Sequence, residues 1–121
     1  MQLYDEIIDL VDKIKEQEER AKVREENKKT IAQNVEKSVN TVVDVLDRTV
    51  NAIVENVNSD YSGTHFTVSI GGITIHFSED DILQEVIGSV DIDSQIDLLV
   101  GKNNFGEAVL KVMKERLRKR L

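Results

Sequence analysis

Residues 30–58 read TIAQNVEKSVNTVVDVLDRTVNAIVENVN, and the fold turns on how this stretch is taken. Val35, Val39, Val42, Leu46, Thr49 and Ile53 recur at alternating steps of four and three, the spacing of a heptad seam. Val43, Val50, Val54 and Val57 make a second ridge beside it. Thr30 followed by Gln33 fits a capping box. The spacing therefore predicts a helix from Thr30 to about Asn58. Valine is a mediocre helix former, so packing rather than propensity must hold such a helix. Its apolar face is wider than a two-stranded coiled coil uses and more than so small a chain readily covers. The expectation is a self-association surface made of Val35, Val39, Val42, Val43, Leu46, Val50, Ile53, Val54 and Val57, hidden against another copy of the chain.

Upstream, the first 62 residues hold no glycine and the whole chain holds no proline. A stretch that long without a breaker reads as one long rod or as two helices joined by a polar bend. The first helix is expected from Leu3 to about Asn27, with Leu3, Tyr4, Ile7, Ile8, Leu10, Val11 and Ile14 as its apolar stripe. After Ile14 the stripe fades. Residues 15–29 are almost wholly charged or amide, with pairs such as Glu16–Arg20 and Glu18–Lys22 one helical turn apart. That composition describes a solvated rod or an interhelix connection.

Downstream, the period changes to two. Thr64–Ile70, Gly71-Gly72 and Ile73–Ser78 form a β-hairpin with a two-residue loop. The loop sets the register: Ile70 faces Ile73, Val68 faces Ile75 and Phe66 faces Phe77, all on one apolar face. His65, Thr67, Ser69, Thr74, His76 and Ser78 fall on the other. A two-stranded hairpin is marginal alone, so it must lie on the helices. Ser78 with Asp81 caps a short helix that Gly88 ends. Val90–Asp93 alternates and suits a short strand or a linker. Ser94–Val100 reads as a second short helix, and Asn104 with Glu107 opens a last one that runs to Leu121. The expected class is α+β in a single domain, residues 1–121. Residues 1–58 would be a helical oligomerisation region, and 59–121 would carry the two-stranded hairpin and the remaining helices.

The chain has 121 residues and a net charge of −7, unevenly distributed. Residues 1–60 hold 14 acids and 9 bases, residues 61–102 hold 7 acids and only Lys102, and residues 103–121 hold 2 acids and 6 bases. Lys111, Lys114, Arg116, Arg118, Lys119 and Arg120 thus make a cationic tail on an acidic body. Such a tail compensates a helix dipole, or it receives a phosphate, a nucleic acid or an acidic partner. With no cysteine, disulfides and thiolate chemistry drop out. No apolar run approaches a membrane span, and the acidic start is unlike a signal peptide. A cytoplasmic protein that does not use a membrane is expected.

No catalytic signature emerges. His65 and His76, the two histidines, lie diagonally on the polar hairpin face, and no third metal ligand stands at a motif spacing. Asp91, Asp93 and Asp97 fail the calcium-loop pattern, because Gln95, Ile96 and Lys102 occupy its key positions. Gly71-Gly72 is a turn without the surroundings of a phosphate loop. The helix at Ser94–Val100 has no cation to meet DNA. Neither cofactor nor metal is expected. The chain reads as a non-enzymatic, homo-oligomeric binding or assembly protein. The alternatives are a binder of nucleic acid or of a phosphorylated small ligand through the basic tail, or a small acidic inhibitor of a basic partner.

Overall fold

A computed structural model describes residues 2–88 and 91–121. Helix α1 (Gln2–Asp47) is followed by strands β1 (Ala52–Asp60), β2 (Gly63–Ile70) and β3 (Ile73–Ser78). Then come α2 (Glu79–Ile87), a 3₁₀ turn (Asp93–Gln95), α3 (Ile96–Val100) and α4 (Gly106–Arg118). The class is α+β. The three strands form one antiparallel sheet in the order β1-β2-β3, one strand more than the two-stranded hairpin read from the sequence.

The 46 residues of α1 are a single helix. At 1.5 Å per residue this is a rod about 69 Å long. The expected capping box at Thr30 is absent. The Thr30 hydroxyl instead donates to the Glu26 carbonyl one turn back, at 3.1 Å, a bond available only to a residue inside a helix. The run Asn27-Lys28-Lys29 contains nothing that stops a helix, so the backbone continues through it.

The other end of that expected helix also needs correction. The chain leaves the helix at Asp47, eleven residues before Asn58, and the expected division of the domain at residue 58 falls inside β1. The last turn tightens as the Arg48 and Thr49 amides donate to the Val45 and Leu46 carbonyls three residues back. The Asp47 carboxylate then accepts the Ala52 amide at 2.9 Å, which sets the first residue of the strand. Val50, Ile53, Val54 and Val57 are β-branched and fit a pleated surface better than a helix. An irregularity at Glu55 hid the strand. Val54 pairs with Val68 and Asn56 with Thr67, so one extra residue is bulged out of β1. The positions on the core side become Ala52, Val54, Val57 and Ser59, opposite Ile70, Val68, Phe66 and Thr64. That broken alternation imitates helical spacing.

The β2–β3 hairpin has the expected register, with Ile70 opposite Ile73, Val68 opposite Ile75 and Phe66 opposite Phe77. Gly71 and Gly72 both take positive φ, 58° and 83°, which the tight turn requires. The Phe66 and Phe77 rings stack with centroids 5.4 Å apart. Phe66, Val68, Ile70, Ile75 and Phe77 are buried, while Ile73 at the turn stays exposed. Against this face pack Ile31, Val35, Val39, Val42 and Val43 of α1, Ile82 and Leu83 of α2, and Phe105, Val109, Val112 and Met113 on α4 and at its start. Ser78 caps α2 in a reciprocal box with Asp81, and Gly88 closes it in the left-handed conformation, both as read from the sequence. Of the expected alternating segment, Val90 lies outside the described residues, and Asp93 begins a 3₁₀ turn. At α4 the Asn104 side chain accepts the Gly106 amide rather than capping toward Glu107, and the helix ends at Arg118.

Candidate self-association surface

The core uses only part of α1. Ile31 is its first buried residue, and every residue from Gln2 to Glu26 is exposed. Two side chains fasten the rod to the body near that boundary. Arg24 donates to the Asp93 carbonyl at 3.0 Å, and Lys28 lies 3.5 Å from the Asp93 carboxylate. Before Arg24 the only ion pair among the described residues is Glu16–Arg20, within the helix itself at 4.0 Å.

On this free segment seven large apolar side chains share one face. Leu3 is 74% exposed and Ile14 53%, with Tyr4, Ile7, Ile8, Leu10 and Val11 between them. Leu3, Ile7, Leu10 and Ile14 follow steps of four, three and four, so leucine and β-branched isoleucine alternate along a heptad seam. Tyr4, Ile8 and Val11 widen the seam to one side. Isolated helices of this length are marginal in water, and most helical stability comes from covering an apolar face. An exposed stripe of this kind is a candidate interaction surface.

The residues expected to self-associate are not gathered on one surface. Val35 and Val39 are 0% exposed, and Val42 and Val43 are also buried, all within the chain's own core. Leu46 packs at the edge of that core, as does Val54 from β1. Val50 lies in the turn after α1, Ile53 is on the outer sheet face, and Val57 is on the inner face at its exposed end. The body therefore covers for itself the part of the stripe that is truly helical. The stripe left bare is the one at the N-terminus. Its spacing was visible in the sequence, and the charged residues 15–29 that isolate it from the rest were the signal of its exposure.

The cationic tail divides into two groups. Arg116 donates to the His76 carbonyl at 3.1 Å and pairs with Asp81 at 3.0 Å. Arg120 donates to the Thr74 carbonyl at 2.8 Å. Both guanidinium groups thus occupy the outer edge of β3, where unpaired backbone groups otherwise invite another strand. Lys111 pairs with Glu107 on its own helix. Lys114, Arg118 and Lys119 point outward and make no ion pair among the described residues.

His65 lies 3.4 Å from the Asp60 carboxylate and 3.0 Å from the Ser62 hydroxyl, and His76 bonds the Thr67 hydroxyl at 3.1 Å. Among the described residues, no three histidines or carboxylates gather as a metal site. Glu79 is the most perturbed acid. Burial, with Asp80 adding to it, pushes its carboxyl up to about 7, and its Oε1 has no hydrogen-bond partner among the described residues. An open groove of about 570 Å³ lies beside the junction of α1 and β1, lined by Asn40, Asp44, Asp47, Asn51 and Ser69 among others. It holds carboxylates but no histidine or cation. Among the described residues, no helix is long and apolar enough to cross a membrane. Neither a family model, nor a curated protein, nor a solved structure matches the chain.

Proposed function

We propose that this is a non-enzymatic, homo-oligomeric assembly protein whose copies meet through the N-terminal half of α1. One observation carries the reading: seven large apolar side chains, Leu3 to Ile14, lie exposed on one face of the N-terminal segment of α1, ahead of the residues that join α1 to the body. A second copy presents the same face and covers it with the same chemistry. The non-enzymatic part is supported by how the polar groups are spent. Both histidines are engaged by their neighbours on the sheet, and the groove beside β1 offers acids without a partner base. The test is the molar mass by light scattering of the full chain and of the double variant Ile7→Asp/Leu10→Asp. The unmodified protein is expected as an oligomer and the variant as a folded monomer. A monomeric unmodified protein defeats the reading.

A second reading rests on Lys114, Arg118 and Lys119, on α4 and at its end, which are exposed and make no ion pair among the described residues. They form an electrostatic handle for a phosphate-bearing or acidic partner, carried by the body while the rods assemble.

A further inference from the structure

We infer that two N-terminal stripes pair antiparallel, with Leu3 of one copy over the partner's Ile14 and Ile7 over the partner's Leu10. This rests on the self-association reading and adds the orientation. The steps of four, three and four are the same read in either direction, so an antiparallel partner matches the seam at every layer. Each layer then joins one leucine to one isoleucine. Tyr4 falls beside the partner's Val11, which extends the apolar strip along one flank.

Charge along one flank of the seam supports the antiparallel orientation. Residues 2–12 carry Asp5, Glu6, Asp9 and Asp12 and no base. Parallel pairing sets these acids level with the identical acids of the second copy. Antiparallel pairing brings Glu6, on the flank opposite Tyr4, next to the partner's Lys13, twice by symmetry. Asp5 stands level with the partner's Asp12 and one residue from its Lys13, on the side of the helix away from the seam. The helix dipoles oppose one another in the same arrangement.

The bodies favour it too. Each is fastened to its rod from Arg24 onward. In the antiparallel pair the partner's Gln2 stands level with Lys15, nine residues or about 13.5 Å from Arg24. The bodies lie at opposite ends and neither obstructs the other. In the parallel pair both bodies begin at the same level.

The chain has no cysteine, so single cysteines report the orientation cleanly. The full-length variants Leu3→Cys and Ile14→Cys are oxidised separately, and again after being unfolded and refolded together. The expected result is a covalent dimer of twice 13.7 kDa only in the mixture, joining position 3 to position 14 by peptide mass spectrometry. In the antiparallel pair the two copies of position 3 stand about 16 Å apart along the axis. A disulfide needs Cα atoms within about 7 Å. Self-linking of each variant alone overturns the orientation in favour of a parallel pair. An oligomer of unchanged mass that yields no link in the mixture also overturns it, by placing assembly elsewhere. A monomer by light scattering is a different failure, because it removes the self-association reading itself.

Discussion

The Ser38 hydroxyl accepts the backbone amide of Phe105 at 3.0 Å, across 67 positions of sequence, in a buried setting. The same hydroxyl donates to the Asn34 carbonyl at 2.9 Å, so it links α1 to the start of α4 through one oxygen. Phe105 is the residue from which α4 departs, and its ring is among the most deeply buried in the chain. Ser38→Ala leaves that amide buried without an acceptor. The expected cost is about 1–3 kcal/mol in urea unfolding. If copies assemble through the exposed stripe, the mass of the assembly should not change, since Ser38 lies outside it.

The two faces of the sheet should respond differently. Phe66 is buried against Phe77 and the helices, so Phe66→Ala should cost about 3–5 kcal/mol. Thr67, on the opposite face, shares one exposed hydrogen bond with His76, and Thr67→Ala should stay within about 0.5 kcal/mol. Equal losses at the two positions in chemical denaturation contradict one-sided burial.

Glu79 ties stability to pH. In the unfolded chain its carboxyl ionises near the ordinary 4.5, whereas in the fold burial holds the proton on until about 7. The folded-state value is raised, so its contribution is fully present below 4.5 and is lost as the pH rises to about 7. Asp80 is raised as well, chiefly by burial and then by Asp81, and acts in the same sense. Asp60 is lowered, mainly by the Ser62 hydroxyl and amide, so its contribution is present above its ordinary 3.8 and is lost only as the pH falls below it. The melting temperature should therefore fall between pH 5 and pH 8. Glu79→Gln should flatten that fall and raise the melting temperature at pH 8. A wild-type profile that is level across this window excludes the effect.

The guanidinium groups along β3 and the outward lysines should separate in function. Arg116→Ala/Arg120→Ala uncovers the Thr74 and His76 carbonyls and removes the partner of Asp81, itself half of the α2 capping box. Lower stability and a faster rise in light scattering on warming are expected. Reversing Lys114, Arg118 and Lys119 to Glu should leave the melting temperature nearly unchanged. If these three side chains receive an anionic partner, wild-type binding should weaken steeply with salt and the reversal should abolish it. Binding to inorganic phosphate or an acidic peptide that ignores both changes removes the second reading.

Local chemistry was legible wherever a turn or cap announced it. The hairpin register, the Ser78–Asp81 box and the Gly88 stop depend on residues within a few positions of one another. The extent of α1 was not legible, for two opposite reasons. At Thr30 a capping motif lay inside a helix, and nothing nearby in the sequence distinguishes a hydroxyl that caps from one that bonds back to Glu26. At Asp47 a helix-like valine spacing continued into a strand, because the bulge at Glu55 shifted its alternation. Whether a given apolar ridge is covered by its own chain depends on long-range packing. Val35 and Leu10 look alike in sequence, yet one is sealed beneath the sheet and the other stands in water.

Because α1 is unbroken, the exposed stripe and the buried ridge are rigidly geared to each other. Ile31, Val35, Ser38 and Val42 repeat the spacing of Leu3, Ile7, Leu10 and Ile14. On a straight helix a heptad repeat drifts by about 20° each time, so four repeats set the two faces about 80° apart in azimuth. The charged residues between them act as a crankshaft of fixed length, coupling the attitude of the body to any contact the stripe makes at the far end. One residue added within 15–19 would turn the body by about 100° and move it outward by about 1.5 Å, with no side chain of either surface altered. The length of this stretch, more than its composition, sets where the body points relative to the stripe.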